Sequence, residues 1–182
     1  MRNVLAAFAL MSTPALATGL EITVDGAYTQ GVIKIDLLED VAPNHVAQIT
    51  TLAEQGFYND VYFHRVIDGF MAQTGDGQFG KKGGDLRRAG TGASDLDNLD
   101  AEFSEMPFER GIVGMARSQS PNSANAQFFI MFGQGDFLNG QYTVVGRVTE
   151  GLDVLDRIKK GDGSTLQVTG EPDVMKTVVV TQ

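Results

Sequence analysis

The strongest constraint on this chain is how briefly its apolar alternations run before a turn residue stops them. Leu20, Ile22 and Val24 alternate with polar neighbours, and so do Ile33, Ile35 and Leu37, the period-two pattern of half-buried strands. Residues 61–67 and 70–74 are further strand-like runs, separated by Asp68-Gly69, a dipeptide suited to a hairpin turn. Residues 112–116, 127–132, 143–148, 166–169 and 176–181 continue the series. Two stretches have helical spacing instead. In residues 43–55, Pro43 suits the first helical position, Val46, Ile49, Leu52 and Ala53 form one apolar face, and Gly56 suits the stop. His45 lies early on that helix and reads as a surface residue. Residues 152–159 place Leu152, Leu155 and Ile158 on one side. About eight short strands and two helices favour a mainly β fold, a closed antiparallel eight-stranded β-barrel capped by two α-helices. No internal repeat or interdomain linker interrupts the pattern, so one domain is expected.

The first 17 residues do not belong to that pattern. A positive start at Arg2, a short apolar run over residues 4–11 and an Ala15-Leu16-Ala17 end describe a secretory signal peptide. The run is too short to span a bilayer, and Pro14 would break a helix at that point. Cleavage is expected after Ala17, leaving a domain at 18–182 in the periplasm or outside the cell, with no membrane attachment once the signal is removed.

Composition removes several chemistries. The 182 residues contain no Cys and only two His, with a formal net charge of −9. Disulfides, thiolate nucleophiles, Cys-based zinc sites and a three-histidine metal site are therefore excluded. The acidic balance argues against nucleic acid as a partner, because that needs a cationic footprint. Local motifs fail as well. Residues 75–80 fit a G-x-G-x-x-G string but run into Lys81-Lys82-Gly83-Gly84, which cannot start the helix a dinucleotide site requires. Asp95-x-Asp97 has Leu99 where a calcium loop needs a ligand. Ser118, Ser120 and Ser123 lack a nucleophile elbow. The acids Asp95, Asp97, Asp100, Glu102, Glu105 and Glu109 fall within 94–109 without a base, which reads as a solvated face.

Residues 57–76 read FYNDVYFHRVIDGFMAQTGD, residues 111–130 read GIVGMARSQSPNSANAQFFI and residues 137–146 read FLNGQYTVVG. In this order and spacing they resemble the cyclophilin family of peptidyl-prolyl cis-trans isomerases, over nearly all of residues 18–182. The resemblance implies an enzyme that turns X-Pro bonds in proline-containing polypeptides and assists folding. No cofactor or metal is expected, and nothing in the sequence suggests more than a monomer. The resemblance also implies Arg65 as the catalytic residue. Phe70, Met71, Phe129 and Leu138 correspond to an apolar proline pocket. Gln73 and Gln127 correspond to glutamines that position the arginine and the substrate backbone. Ala116 and Arg117 lie on the edge that takes the residues before proline, and His64 is a structural neighbour of Arg65. Phe137 and Tyr142 stand where animal-type members have Trp and His, and Arg117 where they have Asn. These departures resemble bacterial members and imply weak cyclosporin binding.

The chemistry itself asks for little. Rotation about a peptide bond faces a barrier of about 18–20 kcal/mol, and X-Pro bonds exchange over tens of seconds unaided. Millisecond exchange needs about 10⁴-fold, or roughly 5–6 kcal/mol. No covalent bond breaks. A pocket for the ring, a fixed donor that localises the prolyl nitrogen lone pair and groups that hold one side of the bond suffice. A non-catalytic module that merely holds proline segments is the alternative, and such a module could dispense with Arg65. One geometric difficulty stands: a two-residue turn at Asp68-Gly69 pairs Arg65 with Ala72 and sends Gln73 to the other face. The role implied for Gln73 calls instead for a bulge or a wider turn.

Overall fold

The computed structural model describes residues 18–27, 29–162 and 167–182. The expected signal segment and Leu166, the first residue of one expected strand, lie outside them. In chain order the elements are β1 (Gly19–Asp25), β2 (Gln30–Leu37), α1 (Pro43–Glu54), β3 (Val61–Tyr62), β4 (Arg65–Ile67), β5 (Met71–Thr74), β6 (Ile112–Met115), β7 (Phe128–Met131), β8 (Val144–Glu150), α2 (Leu152–Arg157) and β9 (Val174–Thr181). Short 3₁₀ turns occupy Leu86–Arg88 and Asp136–Leu138.

The strands form one antiparallel nine-stranded sheet in the order β3-β9-β1-β2-β8-β6-β7-β5-β4. The sheet curls but does not close, which corrects the expected closed eight-stranded barrel. Residues 61–67 do not make one strand. The chain leaves one edge of the sheet at Tyr62 and joins the opposite edge at Arg65, because β3 pairs with β9 and β4 with β5. Loop backbone fills the seam between them. Phe63 N–H donates to Asp173 O at 3.0 Å, Val168 N–H to His64 O at 3.0 Å and Gly161 N–H to Val66 O at 2.7 Å. Of the expected strand at 166–169, Gln167 and Val168 lie in this seam, where Gln167 forms an isolated bridge to Arg65 and its carbonyl accepts from Asp162 N–H at 3.1 Å.

Alternation decides which side chains fill the curl. Leu20, Ile22 and Val24 of β1 and Ile33, Ile35 and Leu37 of β2 all face the main core. On β9, Met175 and Val178 both point inward although three positions separate them. The pairing with β1 shifts between Thr23 and Val24, so Lys176 is an extra residue opposite that step, as in a β-bulge. β7 is buried along its whole length. Its Phe128 and Ile130 enter the main core, while Phe129 and Met131 face a second cluster with Met71, Phe108, Leu138 and Val144. That second cluster, on the outer face of the sheet, is the floor on which the site is built. Gly114 admits it: a Cβ there would meet the rings of Phe108 and Phe129, each at 2.6 Å.

Helix α1 buries Val46, Ile49, Leu52 and Ala53 as its spacing predicts, but also His45, which corrects the surface placement. Ala42 at the N-cap has no side chain to offer. Glu102, from the acidic loop, takes over. Its carboxylate accepts the Asn44 and His45 backbone N–H groups at 3.2 and 3.1 Å and the Asn44 side-chain amide at 2.8 Å, and it contacts His45 Nδ1 at 2.6 Å. A carboxylate is well matched to the unpaired donors and positive end of a helix start. Burial alone would raise the Glu102 pKa, but the hydrogen bonds from His45 and Asn44 outweigh it and hold the pKa below the ordinary glutamate value. So the acidic segment is not wholly a solvated face. Replacing Glu102 by Ala is expected to cost about 1–2 kcal/mol, read as a lowered urea midpoint near neutral pH. Because the native pKa is lowered, that contribution is present above the unfolded pKa and lost as pH falls through the native one, so the difference between the variants shrinks in acid.

Candidate active site

The hairpin β4–β5 sets the geometry. Arg65 pairs with Gln73, Val66 with Ala72 and Ile67 with Met71. The loop is therefore Asp68-Gly69-Phe70, one residue longer than a strict two-residue turn. Phe70 N–H donates to Ile67 O at 3.0 Å, and Gly69 takes φ 71° at the position where a type II turn requires it. This wider turn resolves the difficulty posed by the sequence. Arg65 and Gln73 point to the same face, and Phe70 sits in the turn instead of on β5.

A directional relay supports the arginine. Arg65 Nη1 donates to Gln73 Oε1 at 3.4 Å, Gln73 Nε2 donates to Gln127 Oε1 at 3.0 Å, and Gln127 Nε2 donates to Gly92 O at 2.8 Å. The backbone carbonyl at the far end dictates how each amide is turned. Gly92 is itself held by Asp76, a fully buried carboxylate. Asp76 Oδ1 accepts the Gln78 and Phe79 N–H groups at 3.1 and 2.8 Å, and Oδ2 accepts those of Gly90 and Gly92 at 2.7 and 3.0 Å. Only glycine fits at 92, since a Cβ would fall 2.1 Å from Asp76 Oδ1. Sequence reasoning missed Asp76 as a support. Its signal was an aspartate among glycines, the pattern of a side chain capping its own loop.

Arg65 is half-buried, and among the described residues no carboxylate pairs with it. Burial lowers its pKa, partly offset by Tyr142, yet a guanidinium retains its proton at any physiological pH. It borders a cavity of about 270 Å³ whose floor is Met71, Phe129 and Leu138. Phe70, Gln73, Ala116, Arg117, Phe137 and Tyr142 complete the wall. Phe129 stacks on Phe108, with centroids 5.7 Å apart, and meets Tyr142 edge-on at 5.7 Å. Phe137 contacts Phe70 at 5.4 Å between centroids but is 70% exposed, so it forms the rim. All but one of the residues selected from the sequence thus surround one cavity. Gln127 lies instead in an adjoining cavity of about 320 Å³, which shares the wall of Gln73, Ala116 and Arg117. Thr91, Asn98, Ser123 and Asn125 line that second space, and the sequence did not single them out as site residues because they come from two separate loops, β5–β6 and β6–β7.

Sequence comparison is consistent with this geometry. Residues 20–181 match the family described as cyclophilin type peptidyl-prolyl cis-trans isomerase/CLD. A protein of Brucella suis named "probable peptidyl-prolyl cis-trans isomerase" is 55% identical over 174 residues, covering 92% of this chain and 89% of its own. A peptidyl-prolyl cis-trans isomerase of Helicobacter pylori is 39% identical over 137 residues, or 73% of this chain and 77% of its own. Among solved structures, a cyclophilin from Hirschia baltica superposes with a TM-score of 0.70 at 29% identity, covering 88% of this chain and 73% of that one. A Cryptosporidium parvum cyclophilin type isomerase, crystallised in the presence of the dipeptide Ala-Pro, superposes with 0.73 at 27% identity, covering 90% and 99%.

His64 lies behind Arg65, 2% exposed, and among the described residues neither ring nitrogen has a partner within hydrogen-bond geometry. Burial pushes its pKa down to about 4, against the opposing pulls of Asp76 and the Tyr62 backbone. The ring is therefore neutral at physiological pH, in keeping with a structural role. Between pH about 6.5 and about 4 the unfolded chain binds a proton at this position and the native one does not. Stability is expected to fall by roughly 3 kcal/mol across that window, as followed by urea denaturation. The His64 ring proton shifts should titrate near pH 4 by NMR, and a midpoint near 6.5 would overturn the assignment.

Proposed function

We infer how the site works from one fact: the chain belongs to the cyclophilin-type peptidyl-prolyl cis-trans isomerase family, and it accelerates rotation about X-Pro peptide bonds. Arg65 is the catalytic residue in this reading. As the peptide bond twists, the prolyl nitrogen loses conjugation and its lone pair becomes a better acceptor. A guanidinium donor already in place favours that state over the planar one, which is where catalysis originates. Its half-burial strengthens the effect, because a charge acts through less water. The Gln73–Gln127–Gly92 relay holds the guanidinium without neutralising it, since amides and carbonyls carry no net charge.

The cavity floor supplies the grip. Met71, Phe129 and Leu138 offer an apolar surface sized for a pyrrolidine ring, and Phe70, Phe137 and Tyr142 border it. Binding the ring while leaving the preceding carbonyl free to turn separates the two halves of the rotating bond. Gln73, Ala116 and Arg117 form the wall along which the preceding residues would lie, extended as a peptide lies on a strand edge. The observation that carries this reading is the approach of Arg65 to a cavity with an apolar floor and, among the described residues, no carboxylate beside it. We further infer that residues 1–17 direct export to the periplasm or beyond, and that the domain acts as a monomer. The short apolar run and Ala15-Leu16-Ala17 support export.

Arg65→Ala is expected to lower kcat/KM in a proline-isomerisation assay by at least about 100-fold with the fold retained by circular dichroism. Equal rates for the two proteins would leave only non-catalytic binding. Wild-type kcat/KM should be flat between about pH 6 and 8, because neither Arg65 nor His64 changes charge there. N-terminal sequencing of the exported product should begin at Thr18, and an intact Met1 start would overturn the export reading.

A further inference from the structure

Charge around the two cavities is unlike charge elsewhere on the protein. The chain has a net charge of −9, yet no carboxylate lines either cavity, and their charged side chains are Arg65 and Arg117 alone. Four arginines away from the site are paired with carboxylates: Arg87 with Asp85, Arg110 with Asp156, Arg147 with Asp36 and Arg157 with Asp153. Among the described residues, Arg65, Arg88 and Arg117 have no such partner. Arg88 covers the Phe79 ring at 3.6 Å, outside both cavity walls, and Arg65 serves the rotating bond.

Arg117 borders both cavities and is held rigidly. Its Nε and Nη2 donate to Gln141 O at 3.1 and 2.9 Å, and its Nη1 donates to Ser118 O at 3.0 Å and Gln119 O at 3.3 Å. The guanidinium carbon lies 4.4 Å from the Tyr142 ring centroid. Carbonyl partners occupy donors without cancelling the charge, so Arg117 is a fixed cation with no counter-ion. Hydroxyls of Thr91, Ser118 and Ser123 line the larger cavity beside it. Such a site suits a carboxylate and repels an ammonium group.

We propose that Arg117 makes this enzyme select substrates carrying Asp or Glu within the two residues before the proline. The proposal rests on the placement of the proline ring described above. An extended chain advances about 3.3 Å per residue, so a proline in the smaller cavity leaves those two residues along the wall that Arg117 shares with the larger one. The acidic side chain enters the larger cavity beside Arg117, while Arg65 remains free for the prolyl nitrogen.

The test is kcat/KM on matched peptides with Glu, Gln or Lys at each of the two positions before proline. At one of them the wild type is expected to prefer Glu over Lys by about tenfold, falling below about threefold in 0.5 M salt through screening. Arg117→Gln should abolish the preference whatever it does to the rate on the Gln peptide. Arg117→Lys, which keeps the charge, should retain it, and so covers the case in which Arg117→Gln does not fold. Equal rates on Glu and Lys peptides in the wild type would overturn the proposal. So would a Glu preference that survives Arg117→Gln or resists salt, or one lost in Arg117→Lys. A wild type no faster than Arg65→Ala on the Gln peptide would instead sink the reading of the site itself, a distinguishable result.

Discussion

The position of the Arg65 guanidinium depends on a carboxylate that never touches it. Asp76 is buried, and burying a charge is costly unless hydrogen bonds replace water. Four backbone N–H groups supply them, and in doing so they fold the glycine-rich loop into one shape. That shape places the Gly92 carbonyl, which orients Gln127, which orients Gln73, which receives Arg65. Charge-assisted bonds are the stronger kind, so the most strongly bonded part of the relay is the part farthest from Arg65. A long, flexible arginine thereby keeps one geometry without a salt bridge that would cancel its charge.

The same economy recurs in how the sheet is used. β7 is covered on both faces, so one four-residue strand serves the interior core and the outer floor together. Its alternation sends Phe128 and Ile130 inward and Phe129 and Met131 outward, and the stiffness of a packed interior reaches the site through a single peptide plane. Glu102 makes a comparable link at the other end. It caps α1 through Asn44 and His45, while its own N–H donates to Thr143 Oγ1 at 3.0 Å. Thr143 follows Tyr142 in the cavity wall, so a segment that looked like solvated acid ties a helix start to the site.

Much of the site was legible through the family resemblance, whose motif residues sit on neighbouring strands at short spacing. Arg65 and Gln73 belong to one hairpin, and Met71 and Phe129 to strands that pair directly. What could not be read was the turn between them. Asp68-Gly69 is compatible with either a two- or a three-residue loop, and a shift of one residue exchanges the faces of every side chain that follows. The phase was settled by β5 pairing with β7, where Gln73 lies opposite Phe129. His45 was misplaced for a related reason: helical spacing locates an apolar face, but not a loop that arrives to cover the residue beside it.

Local pattern was sufficient for the mainly β class, for most strands and for both helices, while the resemblance to a known family picked out nearly every residue around the cavity beside Arg65. The class, strands and helices are what alternation and turn chemistry decide, and these act over a few residues. The open seam, the register of the β4–β5 hairpin and the supports from Asp76 and Glu102 arise differently. Glu102 lies 57 residues from His45, and Gln127 lies 54 from Gln73 and 35 from Gly92. No periodicity encodes such distances. They are settled when the curled sheet brings separate loops together and each buried polar group must find a partner or pay for its desolvation.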